Sequence, residues 1–218
     1  MAKKKNITKH DIITWYMAYV LEHGHNPKTV FAFSKEHNFE EAKFYENFAS
    51  FESIEKDIFE TFFSNSIAAL NKSEDYKIFD ARNRLLSFYY TFFENLTANR
   101  SYVVFVLNTY KNNLKGLKML AGLKQHFTKY ISELGIQMLD IKQAQLEKIQ
   151  DNALKESAWL QLLVTMKFWL EDTSVSFEKT DIFIEKSVNT TFDVLDIAPV
   201  KSVLDLGKFL FKEKFQMN

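Results

Sequence analysis

At 218 residues the chain has room for one or two domains and a sizeable core. Its 22 Phe against 2 Pro and 5 Gly exclude a β-sandwich or barrel, which needs many turn residues, and predict an all-α fold. A formal net charge of zero supplies no global field toward nucleic acid or acidic lipid, and the lack of cysteine excludes disulfides, thiolate metal sites and cysteine nucleophiles.

Residues 1–7 read as a basic arm, in which Lys3, Lys4 and Lys5 either meet phosphates or form a solvated tail. No apolar signal core follows it, no apolar run is long enough to span a bilayer, and the expected location is the cytoplasm. Thr8, with Asp11 three residues on, makes a capping box. Ile12, Trp15, Tyr16, Tyr19 and Val20 then follow helical spacing up to Gly24, which ends the helix. Asn26 as cap and Pro27 in the first turn open a second helix, reaching about residue 36. His37-Asn38 breaks it, because Asn tolerates the left-handed conformation of a tight turn. Glu40 and Glu41 open a third helix over about 40–47, where carboxylates meet the positive end of the macrodipole. Phe44 and Phe48, four apart, form its buried stripe, with Tyr45 beside them. Helix, short turn and second helix make a helix-turn-helix, whose second helix can enter a DNA major groove.

Ser50 caps a long fourth helix, with Ile54, Ile58, Phe59, Phe62, Phe63, Ile67 and Leu70 on one face. Past the polar break at 71–75, residues 76–97 read as a helix rich in Phe and Tyr. The segment at 102–107, YVVFVL, is β-branched but has no partner strand, so a buried helix is expected. Residues 114–133 read as helical, closing near Gly135, and the polar stretch at 140–152 reads as a short helix or a link. Helices follow at about 153–170, carrying Trp159 and Trp169, and at 178–195. Pro199 starts a last helix with one broad apolar face and Phe209 on the opposite, Lys-rich face, which suits packing against its own domain or contact with a membrane surface.

Few residues suggest chemistry. His10, His23, His25 and His37 lack the carboxylate pattern that would complete a metal site, and no nucleophile–base pair, phosphate loop or paired-carboxylate motif stands out. No metal, cofactor or catalysis is expected. The aromatic middle is either packed core or the lining of a cavity for an apolar ligand, with Tyr89, Phe93, Tyr102, Phe105 and Trp159 as candidate lining residues.

Residues 8–60 resemble the N-terminal domain of the TetR family of bacterial transcriptional regulators. Gly24 stands at the end of helix one, Thr29-Val30 opens helix two, and Phe33-Ser34 takes the family's Ile-Ala place. His37-Asn38-Phe39 replaces the Ala-Gly-Val turn, Tyr45 and Phe48 take the aromatic pair of the recognition helix, and Glu52 and Ile54 fall where helix four begins. The resemblance implies an all-helical homodimer with two parts. Residues 1–50 would be a three-helix DNA-binding domain, and residues 51–218 a larger domain that binds an apolar small-molecule effector and dimerises. The helices near 153–170 and 178–195 would form a four-helix interface, and twofold symmetry implies a palindromic operator. Candidate DNA contacts are Lys3, Lys4, Lys5, Lys28, Thr29, Lys43, Tyr45 and Asn47. The chain also departs from the pattern. Phe51 stands where the family has a phosphate-binding Lys, Glu40 where it has Ser or Thr, and Lys43 is the one basic residue projecting from helix three. No Arg precedes Arg82. These departures suit an alternative: a TetR-fold lipid- or isoprenoid-binding protein, similar to a family of ubiquinone-biosynthesis proteins, without DNA binding and with membrane contact through its C-terminal helix.

Overall fold

The computed structural model describes residues 7–109, 114–136 and 144–196, and among these there is no strand. Eleven α-helices run in order: α1 (Lys9–His23), α2 (Val30–Glu36), α3 (Glu41–Tyr45), α4 (Phe51–Leu70), α5 (Glu74–Ile78), α6 (Ala81–Ala98), α7 (Arg100–Thr109), α8 (Leu114–Met119), α9 (Ala121–Glu133), α10 (Ala144–Glu171) and α11 (Glu178–Asp196). The all-α reading holds. Two compact units divide the chain. The first holds Met1–Asn65 and Glu94–Lys124, and the second Ser66–Phe93 and Gln125–Asn218.

The first unit starts with the capping box. The Asp11 N–H donates to Thr8 Oγ1 at 3.1 Å and the Thr8 N–H to Asp11 Oδ2 at 2.8 Å. Ile12, Tyr16 and Val20, four apart, are fully buried, and Gly24 closes the helix at φ +70°. α2 starts later than Asn26 and Pro27 suggest. Thr29 is its cap, accepting from the Ala32 N–H at 3.0 Å, because Asn26 is used elsewhere. Its amide donates to Glu55, a buried carboxylate on α4 that also accepts from the Tyr16 hydroxyl at 2.7 Å. Asn38 takes φ +55°, the left-handed turn expected of it, and α3 follows. Ser50 and Ser53 exchange hydrogen bonds at the start of α4. Segment 102–107 lies within helix α7, where Tyr102, Val103 and Val106 are buried, and α7 packs on α1 with the Tyr16 and Tyr102 rings 6.5 Å apart.

The second unit is built on aromatic packing. Phe88, Tyr89 and Phe93 of α6 meet Phe127 and Tyr130 of α9 and Trp169 of α10, and Phe92 packs between Phe88 and Phe93. Each such ring, buried from water, contributes on the order of 1.5–3 kcal/mol before ordering costs. The single helix expected over 76–97 is two. Ser73 caps α5, Phe79 is extended, and Asp80 accepts from the Asn83 N–H at 2.8 Å to start α6. Two short acceptors, each capping its own first turn, outcompete one continuous helix. Residues 114–133 likewise divide into α8 and α9 at Leu120. The polar stretch at 140–152 joins α10 from residue 144 onward, with Glu147, Lys148 and Ile149 exposed, so its polarity marks a solvated face. Between α10 and α11, Asp172 accepts from the Ser174 and Thr180 N–H groups and hydroxyls at 2.7–2.9 Å. Burial opposes its charge, but these bonds outweigh that and hold its carboxyl at about 2. The helix expected from Pro199 lies outside the described residues.

Candidate nucleic-acid interface

α3 has only five residues, too few to be stable alone, so its position depends on its contacts. Phe44 is its anchor. It is fully buried, with its ring 6.4 Å from Phe33, 5.6 Å from Phe48 and 5.3 Å from Phe51. Phe33 in turn meets Tyr16, Tyr19, His37 and Phe39. Phe51 stacks on Tyr16 at 5.6 Å and 13°, so the side chain where the resemblance expects a phosphate-binding Lys instead closes the aromatic cluster. With Phe44 inward, α3 turns Ala42, Tyr45 and Glu46 to solvent, and Tyr45 is 53% exposed.

Several candidate contacts already have intramolecular partners. The Thr29 hydroxyl is the α2 cap. Lys43 Nζ lies 2.6 Å from Glu46 Oε2, the Asn47 amide donates to the Lys43 carbonyl at 3.0 Å, and the Tyr45 hydroxyl lies 3.4 Å from Glu41 Oε1. Lys28 is exposed, while Lys3, Lys4 and Lys5 lie outside the described residues. From Lys28 to Asn47 there are three lysines against four glutamates, so the segment gives no strong positive field. The His37 ring stacks on Trp15 at 5.1 Å and 4°, and its Nε2 is buried with no partner among the described residues. Burial lowers its pKa, against the smaller raising effect of Glu36 and Glu22.

Pattern reading missed two residues here. Phe31, on the first turn of α2, is 61% exposed. The signal was present, since an apolar residue two before the core Phe33 falls on the wrong side of a helix. Glu55 was missed because attention to apolar spacing skips a carboxylate beside Ile54, and only the fold brings Tyr16 and Asn26 to it.

The candidate ligand residues fall in both units. Tyr102, buried, and Phe105, half-buried, belong to the first. Tyr89, Phe93 and Trp159 belong to the second, where Tyr89 stacks on Phe93 at 6.1 Å and Phe127 lies 6.3 Å from Tyr89 and 6.4 Å from Trp159. The Tyr89 hydroxyl is buried without a partner among the described residues, and burial pushes its pKa up. Tyr130 donates to the Arg84 carbonyl at 3.0 Å and pairs with the Tyr76 hydroxyl at 2.9 Å. On α10 and α11 of the same unit, Leu160, Val164, Ile182 and Val194 are exposed. Phe168 and Phe183 stack at 4.6 Å and, with Lys179, Ile182 and Lys186, line a shallow groove of about 550 Å³. Among the described residues no helix is long and apolar enough to cross a membrane, and no group of His, Asp and Glu could hold a metal ion.

Among the described residues the chain is all-helical, with α2, a tight turn and α3 in helix-turn-helix order. The sequence profile of the tetracyclin repressor-like C-terminal domain matches residues 84–210, more than half of the chain. The protein belongs to the TetR family of regulators. No curated protein matches it.

Proposed function

We propose that the protein is a homodimeric transcriptional regulator that binds palindromic operator DNA through α3 and is controlled by an apolar small-molecule effector. Residues 1–50 would serve as its DNA-binding domain, and residues 51–218 would bind the effector and dimerise. The observation that carries this reading is the presentation of α3: one buried anchor, Phe44, and an outward face of Ala42, Tyr45 and Glu46. The exposed apolar side chains of α10 and α11 support dimerisation, because a monomer seldom leaves so many on one helix pair. Electrophoretic shift of DNA from the protein's own promoter region, at two salt concentrations, tests it. The expected result is a shifted dimer whose affinity falls with salt. No salt-dependent binding would end the proposal.

One observation favours a second reading, a lipid- or isoprenoid-binding protein of the same fold that does not bind DNA. Phe51 sits in the aromatic cluster and Lys43 is paired with Glu46, so the surface has few free cations for phosphate. Liposome flotation of the full chain, compared with a variant lacking residues 198–218, tests this reading. Equal flotation of the two would remove the membrane contact it requires.

A further inference from the structure

The side chains that could read bases can be taken one chemistry at a time. Guanine is read chiefly by Arg, bidentate to its O6 and N7. No Arg occurs before Arg82, so the helix-turn-helix cannot use that pairing. Lysine is the next choice, but Lys43, the one Lys on α3, is held by Glu46 at 2.6 Å. Adenine is read by Asn or Gln, and Asn47 gives its amide to the Lys43 carbonyl. Beside the exposed charged side chains Lys28, Lys35, Glu40 and Glu46, the helix-turn-helix turns apolar groups outward: Phe31, 61% exposed; Tyr45, 53% exposed; and exposed Ala42. In the major groove the one apolar group on a base edge is the thymine C5-methyl.

We infer that Phe31, Ala42 and Tyr45 select operator half-sites by contact with thymine methyl groups, in place of guanine pairing. This rests on the DNA-binding reading above. The rings gain from a methyl by removing apolar surface from water, a short-range effect that salt does little to screen. Glu46, just past α3, is partly offset by Lys43, whereas Glu41, 3.4 Å from the Tyr45 hydroxyl, keeps its charge.

Replacing thymine by deoxyuridine deletes that methyl and changes nothing else on the base edge. Duplexes are first selected by the full-length protein from a random-sequence library. Thymines in the enriched half-site are then changed singly to deoxyuridine, and affinities are measured for wild type, Phe31→Ala and Tyr45→Ala. The selected half-sites should be rich in A·T pairs. At contacted positions deoxyuridine should weaken wild-type binding about fourfold, the value of burying one methyl. At the position each ring touches, the corresponding variant should show no further loss. Equal affinity for thymine and deoxyuridine duplexes, or half-sites dominated by guanine, would overturn the inference while leaving the regulator intact. Failure to enrich any duplex would remove both. Phe31 is exposed, so its variant should fold as wild type, and the deoxyuridine arm needs no variant at all.

Discussion

Two buried polar atoms without partners make opposite predictions. The Tyr89 hydroxyl lies in an aromatic core with nothing to bond among the described residues, and such a group costs roughly 1–3 kcal/mol. Tyr89→Phe removes the oxygen and keeps the ring, so the variant should be more stable by about 1 kcal/mol. Urea unfolding checks this, and a lower midpoint would mean that the hydroxyl is bonded after all. His37 is a conditional case. Neutral, its ring stacks well on Trp15, but charged it would need an acceptor for Nε2 that the described residues do not supply. Burial sets its folded pKa below the ordinary 6.5, so the unfolded chain takes up a proton first. Its contribution is therefore full above 6.5 and is lost as pH falls from there toward the folded value. The melting temperature of wild type should drop between pH 7 and pH 5 by more than that of His37→Gln. Parallel profiles would refute this.

At the scale of elements, local signals were legible and shared ones were not. The Thr8–Asp11 box, the Gly24 stop and the left-handed Asn38 each need only neighbouring residues, and each stands where the sequence puts it. The start of α2 was misread because Asn26 and Thr29 are both good caps, and the choice was made by distant Tyr16 and Glu55. The break between α5 and α6 depends on Asp80 capping its own helix, a competition that periodicity does not register. For the candidate interface, the elements were readable from the sequence. Which of their side chains would be occupied by one another was not, because a good DNA-facing residue and a good cap look alike in sequence. α3 shows the energetic side of this. Phe44→Ala should cost about 3–5 kcal/mol, while Tyr45→Ala at an exposed position should change stability by less than about 0.5 kcal/mol. Thermal unfolding of the pair checks this, and similar losses would mean that α3 is anchored by both rings. On the other helix pair, Leu160→Glu places a charge on the exposed stripe. If α10 and α11 join two copies, light scattering should give a monomer mass with helical content unchanged, whereas a dimer of unchanged mass would move the interface elsewhere.

For the whole molecule, zero net charge limits what electrostatics can do. Any attraction to a duplex would have to be local, since no long-range field steers the chain. The first compact unit is also discontinuous in sequence, because it takes Glu94–Lys124 from well beyond its N-terminal stretch. α7 of that second stretch covers α1, whose buried Tyr16 meets Tyr102. No single scission can therefore yield an intact N-terminal half. A grafting experiment that moves only the opening helices onto a foreign sensor would carry an exposed seam along α1, and a working chimera would have to transplant both stretches together.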